Sequence, residues 1–308
     1  MTAAVTGVFC AAATPLNADL SPNLAAFTAH CQRLLEDGCT GVALLGTTGE
    51  ANSFSLTERR AILEAAVGGG VDPARLLPGT GVAAIPETIE LTRHALSLGV
   101  TRVVMLPPFY YKGVSDEGLF AAYARIIEGV GDNRLRVVLY HIPQVAGIAI
   151  SHDLIARLIA AFPGIVVGIK DSAGKFDNMT AMVERFPGFS VLAGADPLLL
   201  PLMQAGGAGC ITATSNLVGA ELATVYRGAN DPAQAEAVAA AQARIVAHRD
   251  LSNSYVQLPA IKAMVAFRTG DPGWLRLRPP LMALSADEQS ALRDQLLAIG
   301  ATVRDFPQ

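Results

Sequence analysis

The chain has 308 residues, of which 51% are hydrophobic and 16% charged, and its formal net charge is −4. This length and composition support a large buried core and argue against disorder. There is no basic block and no apolar run near the roughly 20 residues of a membrane helix, so we expect neither nucleic acid nor a membrane as a partner.

The first residues, MTAAVTGVFCAAATP, lack the positive start and the long apolar stretch of a signal peptide, so we interpret them as leading into a first strand. The cysteines show no CxxC or zinc-type spacing. They are Cys10, Cys31, Cys39 and Cys210. Buried free thiols in a reducing compartment are the simplest interpretation, and we therefore expect a cytoplasmic protein.

Apolar, strand-like runs alternate along the chain with amphipathic, helix-like runs. Eight such pairs occur, and their apolar runs lie at 7–15, 41–46, 76–81, 102–107, 136–143, 165–172, 190–196 and 209–216. Near-continuous apolar runs are typical of parallel strands covered on both faces. The pattern favours a closed (β/α)8 barrel, the TIM barrel, over an open doubly wound sheet. The later sequence is helical only, which predicts a catalytic barrel at 1–228 and a C-terminal helical region at 229–308 packed on it.

The sixth apolar run, IVVGIKDS, ends near a lysine. Strand alternation predicts that Lys170 points into the barrel with Val166 and Gly168. The same alternation turns the intervening residues outward: Ile165, Val167, Ile169 and Asp171. In a TIM barrel the active site lies at the carboxyl ends of the strands, and a buried neutral amine there can form a Schiff base with a carbonyl substrate. The alternative is a lysine that reaches the barrel rim or pairs with a carboxylate.

Two other strand ends carry polar side chains. The motif GTTGE follows the second run, and the hydroxyls of Thr47 and Thr48, with amides exposed by Gly46 and Gly49, predict a cradle for a small carboxylate. The fifth run ends in YHIP, where alternation places Tyr140 inside the barrel. A tyrosine beside an amine and a bound carbonyl can move protons. A packed core tyrosine is the alternative.

The ordered motifs GTTGE, PPFYY, YHIPQVAG and GIKDSAG resemble the dihydrodipicolinate synthase / N-acetylneuraminate lyase family, from about Thr6 to the C-terminal helices. The resemblance implies a class I, Schiff-base-forming barrel enzyme that acts on pyruvate and other 2-oxo acids. It implies no cofactor beyond the covalent Schiff base on Lys170. It also implies that Tyr140 shuttles protons, and that Thr47 and Thr48 hold the oxo-acid carboxylate and relay protons.

The resemblance further implies a homo-oligomer, a tetramer built as a dimer of dimers. In the synthase branch, a tyrosine at the position of Tyr111 reaches into the neighbouring subunit's site. The predicted substrate-binding set also includes Gly194 in the seventh run and Ile211 in the eighth, together with Val145 and Asp196.

Two positions depart from the family patterns. Val145 stands where the synthase branch has an arginine for the second substrate's carboxylate, which argues against aspartate semialdehyde. The lyase branch has an acidic pair after the seventh strand, and here Asp196 is followed by Pro197, which argues against sialic acid. We therefore expect cleavage or formation of a 2-keto-3-deoxy sugar acid or a 4-hydroxy-2-oxo acid, with pyruvate as the common partner. Dihydrodipicolinate synthase, a 2-oxo-acid dehydratase and a non-catalytic 2-oxo-acid sensor remain alternatives.

Other barrel chemistries have less support. The histidines show no ligand spacing, so we expect no metal site of the class II aldolase kind. A phosphate-binding barrel could use the glycines at 206–209, although close backbone packing explains them equally well. The sequence has no GKS or GKT loop and no GxGxxG after a strand, so no nucleotide cofactor is expected.

Overall fold

The computed structural model describes residues 4–306. Seven strands lie in this part of the chain: β1 (Gly7–Ala11), β2 (Gly41–Ala43), β3 (Arg102–Met105), β4 (Arg136–His141), β5 (Val166–Asp171), β6 (Ser190–Ala193) and β7 (Gly209–Thr212). All the pairings between them are parallel, in the order β2-β1-β7-β6-β5-β4-β3. In this order β2 and β3 are the edge strands. The sheet curls so that these two edges face each other across one gap.

Twelve α-helices accompany these strands in the described residues. They are α1 (Leu24–Glu36), α2 (Leu56–Gly68), α3 (Ile85–Ser97), α4 (Asp116–Val130), α5 (Pro143–Ala146), α6 (His152–Ala161), α7 (Phe176–Arg185), α8 (Leu199–Gln204), α9 (Ser215–Gly228), α10 (Ala235–Asn253), α11 (Gln257–Thr269) and α12 (Ala286–Ala298). Four begin at serines whose hydroxyls accept a backbone N–H of the first turn: Ser55, Ser115, Ser151 and Ser285. None of the helices within residues 4–306 has the length and apolarity needed to cross a bilayer.

The third predicted strand, residues 76–81, is not a regular strand, and on this point the prediction was wrong. Its backbone instead bridges the two edges of the sheet. The N–H of Leu77 donates to Val42 O (2.9 Å), and the N–H of Val104 donates to Pro78 O (2.9 Å). Proline has no N–H to give to a ladder, so this segment cannot pair along its whole length. It still fills the gap between β2 and β3, and the predicted (β/α)8 TIM barrel is confirmed.

The barrel interior is packed with apolar side chains from around the whole sheet. The inward residues include Phe9, Ala43, Leu77, Val104, Val138, Val167, Leu192 and Ile211. A larger cluster lies between the outward faces of the strands and the surrounding helices. All four cysteines are buried free thiols, as predicted.

The predicted alternation along β5 was wrong at its start. Val166 packs outward and Val167 packs inward, the reverse of the expectation. The cause is a shift of register between β4 and β5: Val137 pairs with Val166, but Val138 pairs with Gly168. The extra residue in β5 reverses the alternation before the strand end. Beyond this irregularity, Lys170 has the inward orientation that the sequence predicted.

The chain after α9 is helical in the described residues, with α10, α11 and α12 packed against the barrel. Apolar residues of α11 and α12 form a cluster with Ala213, which follows β7. Helix α9 ends at Gly228, where the predicted barrel region also ends. The division into 1–228 and 229–308 stays a prediction, and residues 307–308 lie outside the described part of the chain.

Candidate active site

Lys170 and Tyr140 are neighbours inside the carboxyl end of the barrel. They are directly paired across β4 and β5, and Lys170 Nζ lies 4.2 Å from the centroid of the Tyr140 ring. Lys170 is 7% exposed and Tyr140 is 4% exposed, so neither reaches the rim. Among residues 4–306, no carboxylate lies within 4.0 Å of the lysine amine. Both alternatives for Lys170, rim exposure and ion pairing, therefore disagree with the structure.

The acid next to Lys170 in sequence is turned away from it, as predicted. Asp171 Oδ1 accepts the N–H of Ala173 (2.8 Å), and Oδ2 accepts from Asn178 Nδ2 (2.7 Å). Both carboxylate oxygens are therefore satisfied on the helix side of the strand. The amine of Lys170 faces an aromatic ring rather than a counter-charge.

The GTTGE motif forms a tight turn after β2, on the opposite side of the barrel mouth from β5. Thr47 Oγ1 lies 3.4 Å from the hydroxyl oxygen of Tyr140. The turn closes on itself, because the N–H of Glu50 donates to Thr47 O (3.1 Å) and that of Ala51 donates to Gly46 O (3.2 Å). A Cβ at Gly46 would meet no atom within 4 Å, so the turn leaves open space there. Such space beside the Thr47 hydroxyl suits a small anion, and Thr48 is half-buried in the same turn.

The surroundings of Tyr140 lower the pKa of its hydroxyl from the ordinary tyrosine value. Burial raises the pKa of Tyr140, but the charge of Lys170 and hydrogen bonds with Thr47, Lys170 and Ser172 outweigh burial. The net result is a pKa below its ordinary value of 10.0. A phenol with a lowered pKa releases and recovers a proton more readily near neutral pH, as a proton shuttle must.

Sequence reasoning missed two polar side chains next to Tyr140. Ser172 follows Lys170 by two positions and helps to lower the pKa of Tyr140, so strand alternation past Lys170 could have identified it. Arg59, 3% exposed, lines a cavity of about 20 Å³ with Thr47, Tyr140 and neighbouring residues. Its guanidinium donates to Gly79 O (3.0 Å). Nothing in the sequence distinguishes this arginine from Arg60, the exposed arginine next to it on α2.

Comparison with known proteins identifies the family of this chain. A model of the dihydrodipicolinate synthetase family matches residues 4–299. The chain belongs to this family. Its members are lyases of the class I aldolase type, so the protein is an enzyme of that kind.

Relatives of the family match along nearly the whole chain. A protein of Chloroflexus aurantiacus named "Uncharacterized DapA-like lyase" is 35% identical over 288 residues, which cover 93% of this chain and 94% of that protein. The 4-hydroxy-tetrahydrodipicolinate synthase of Methanopyrus kandleri is 29% identical, covering 96% and 97%. The crystal structure of dihydrodipicolinate synthase from Agrobacterium tumefaciens superposes with a TM-score of 0.87 at 32% identity, covering 95% and 99%.

The remaining predicted site residues differ in how deeply they are buried. Ile211 is buried in the interior cluster that also contains Tyr140. Gly194 follows β6, and a Cβ there would lie 2.0 Å from Ser172 Oγ, so only glycine fits beside that serine. Val145 lies on α5 and is 64% exposed. The structure thus places Ile211 and Gly194 in the site wall and Val145 at an open surface.

Asp196 is enclosed in the wall rather than open to the site. Its side chain has no exposed area, and Oδ2 lies 3.1 Å from Arg249 Nη1. Oδ1 is buried without a hydrogen-bond partner in the described residues. The structure does not bring Asp196 to an open surface beside Lys170, and its role in substrate binding stays a prediction.

Tyr111 lies on the outer surface of this chain. It is 75% exposed, and it packs edge-to-face on the equally exposed Tyr110 at 5.3 Å between ring centroids. In this single chain it does not contribute to the surroundings of Lys170. Its predicted role requires a second copy of the chain.

The structure also bears on the two other barrel chemistries. Within residues 4–306, no group of three or more His, Cys, Asp or Glu side chains is arranged to hold a metal ion. The glycines at 206–209 lead into β7, at the end of the barrel away from Lys170. A Cβ at Gly209 would lie 2.0 Å from Gly7 O, so close backbone packing accounts for that glycine.

Proposed function

We propose that this protein is a Schiff-base-forming lyase that cleaves or forms a 2-oxo acid with pyruvate as the common partner. The observation that carries the proposal is the arrangement at the barrel mouth. A buried lysine with no carboxylate partner in residues 4–306 lies beside Tyr140, whose hydroxyl meets Thr47 from across the barrel. A desolvated amine and an adjacent proton carrier are the two groups that this chemistry needs.

The proposed reaction begins when the neutral amine of Lys170 attacks C2 of the oxo acid. Tyr140 gives its proton to the departing C2 hydroxyl, so loss of water leaves a Tyr140 phenolate and a protonated Schiff base, which withdraws electrons from C3. The C3–C4 bond then breaks as the Tyr140 phenolate takes the proton of the C4 hydroxyl. An aldehyde leaves, and the bonding electrons form the enamine of pyruvate. Protonation at C3 and addition of water at C2 release pyruvate and the free amine.

The two threonines after β2 are proposed to bind the carboxylate. The turn carries Thr47 and Thr48 next to the open space at Gly46, and Thr47 Oγ1 reaches the hydroxyl of Tyr140 across the barrel. Binding the carboxylate there would direct C2 of the substrate towards Lys170. No further cofactor is required in this scheme, because the lysine itself supplies the electron-withdrawing group.

The substrate class follows from the mouth of the barrel. At the exposed position 145 the chain has valine rather than arginine, so it supplies no guanidinium there for a second carboxylate. The acid that could bind several sugar hydroxyls, Asp196, is enclosed and paired with Arg249. These features favour a short 2-keto-3-deoxy sugar acid or a 4-hydroxy-2-oxo acid. The names of the relatives favour a second candidate, 4-hydroxy-tetrahydrodipicolinate synthase.

We also propose that the protein acts as a homo-oligomer in the cytoplasm. Two adjacent exposed tyrosines, Tyr110 and Tyr111, form an aromatic surface that a second copy could cover. The four free buried thiols suit a reducing compartment. Sedimentation velocity would show an assembly that Tyr111→Arg weakens; a wild-type monomer at micromolar concentration would contradict the oligomer.

The function is tested by incubating the protein with a panel of 2-keto-3-deoxy sugar acids and 4-hydroxy-2-oxo acids and coupling pyruvate release to lactate dehydrogenase. We expect pyruvate from at least one compound, and none from Lys170→Met. Loss of water without pyruvate release would identify a dehydratase. Turnover only with pyruvate and aspartate semialdehyde would identify the synthase. Binding without turnover of any compound would indicate a sensor.

A further inference from the structure

Glu50, the last residue of the GTTGE motif, forms a buried ion pair with the C-terminal region. Its Oε1 lies 2.6 Å from Nζ of Lys262 on α11, and neither side chain has exposed area. Charged residues are almost never fully buried unless they are paired. The two residues are 212 positions apart, so the pair joins the turn after β2 to a helix outside the barrel pattern.

The same glutamate holds the backbone of the turn. Its φ of 56° lies in the left-handed region, which non-glycine residues rarely adopt. Its N–H donates to Thr47 O (3.1 Å), and its carbonyl accepts the N–H of Ser53 (2.8 Å). Its second carboxylate oxygen accepts the N–H of Arg278 (3.3 Å). The carboxylate is therefore held from two sides while the backbone keeps an unfavourable conformation.

The neighbouring glycine is fixed as well. Thr14 Oγ1 donates to Gly49 O (2.9 Å), and a Cβ at Gly49 would lie 3.0 Å from Ala12 O. The turn thus rests against the end of β1 on one side and against α11 on the other. Of these two contacts, only the one with α11 is an ion pair. Burial lowers the pKa of Lys262, whereas Glu50 acts to raise it, so the lysine depends on this partner for its charge.

We infer that Glu50 and Lys262 are positioning residues, whose buried ion pair fixes the turn that presents Thr47 and Thr48 to the 2-oxo acid. The inference rests on the proposed function, in which those threonines hold the carboxylate of the substrate. It gives the C-terminal region a part in catalysis, although neither residue touches the reacting atoms. A pair that serves stability alone would leave pyruvate binding unchanged once the protein is folded.

The chain offers a matched control on the same helix. Arg268 of α11 pairs with Asp37 beyond the end of α1 at 2.7 Å, and this contact also ties α11 to the barrel. It lies away from the turn after β2. Arg268→Met and Lys262→Met therefore each remove one cation that links α11 to the barrel, but only the second affects the turn.

The decisive variant is the double substitution Glu50→Gln with Lys262→Met. Lys262→Met alone leaves a buried carboxylate without its partner and is expected to melt at lower temperature. The double variant removes that charge, and the amide oxygen of the introduced glutamine can still accept the N–H of Arg278. Its melting temperature is expected to recover, but its turn has lost the charge-assisted bond.

The experiment measures borohydride trapping of pyruvate on Lys170 at several pyruvate concentrations, at a temperature where all variants are folded by circular dichroism. We expect the double variant to need about tenfold more pyruvate for half-maximal trapping, with a smaller change in the maximal rate. Arg268→Met should match the wild type. A double variant with wild-type half-saturation, or an equal rise in Arg268→Met, would overturn the inference. Wild type that forms no adduct would instead overturn the proposed function, and the inference with it.

Discussion

Replacing Tyr140 with phenylalanine separates its catalytic role from its packing role. The substitution removes one oxygen and keeps the ring that covers Lys170 Nζ at 4.2 Å. The hydroxyl lies 3.4 Å from Thr47 Oγ1, longer than the 2.7–2.8 Å typical of O–H···O bonds. Its loss should cost about 1 kcal/mol of unfolding free energy or less. The melting temperature should therefore change little.

The effect on proton transfer should be much larger. A positioned acid–base group contributes about 10²- to 10⁴-fold, which corresponds to about 3–5 kcal/mol of activation free energy. In the proposed reaction Tyr140 is the acid–base group beside the Schiff-base nitrogen, so we expect it to take the C3 proton of the pyruvate Schiff base. Thr47→Val is a matched control that removes the partner hydroxyl and keeps the phenol. It should lower the rate by about tenfold.

The assay is exchange of the pyruvate methyl protons in D₂O, followed by proton NMR, because it needs no second substrate. The wild-type rate should rise with pH, with a midpoint below 10. Tyr140→Phe should exchange at least about 100-fold more slowly and still form the borohydride adduct on Lys170. Exchange within about threefold of wild type, with an unchanged melting temperature, would refute the assigned role.

Three further outcomes are expected. Lys170→Met should melt no lower than wild type in calorimetry, because it removes a buried amine that has no carboxylate partner within residues 4–306; a clearly lower melting temperature would contradict this. Val145→Arg, at an exposed position, should raise condensation of pyruvate with aspartate semialdehyde by about tenfold in a coupled assay, and no gain would argue against the assigned role of this position. The guanidinium of Arg278 holds the pKa of Glu58 at about 2, below its ordinary 4.5. The unfolded chain then binds more protons, so the stabilisation is complete well above pH 4.5 and is lost as the pH falls towards 2. The melting-temperature difference between wild type and Glu58→Gln should shrink over that range, and a constant difference would contradict the assignment.

The carboxyl ends of the strands could be predicted from the sequence. Polar residues occur there at the ends of apolar runs, and a purely packed core does not require them. Lys170 and Tyr140 end apolar runs, and alternation from the strand end directs both inward, as the structure shows. The same alternation failed at Val166 and Val167. A register shift between two buried strands moves one apolar residue into the place of another. The hydrophobic pattern of the sequence is therefore the same with or without the shift.

The boundaries of the barrel were less predictable than its architecture. Residues 76–81 resemble a strand in composition, but Pro78 limits their pairing to isolated bridges. Sequence could have indicated this, because a proline inside a short apolar run argues against a central strand. The helical nature of the chain after Gly228 was predicted from the absence of alternation.

The contacts that fix the site from outside the barrel could not be predicted. Glu50 and Lys262 lie in different regions, and each alone resembles a surface residue of a turn or helix. Ser172 could have been found by extending strand alternation past Lys170. Tyr111 is a different case, because a role in a neighbouring subunit has no counterpart in one chain.

The central claim is that Lys170 forms a covalent Schiff base with a 2-oxo acid. The most direct measurement is incubation with pyruvate and borohydride, followed by intact mass and a peptide map. We predict one reduced pyruvate adduct per chain, located on Lys170 and absent from Lys170→Met. No adduct on the folded wild-type protein, or an adduct that survives in Lys170→Met, would contradict the account.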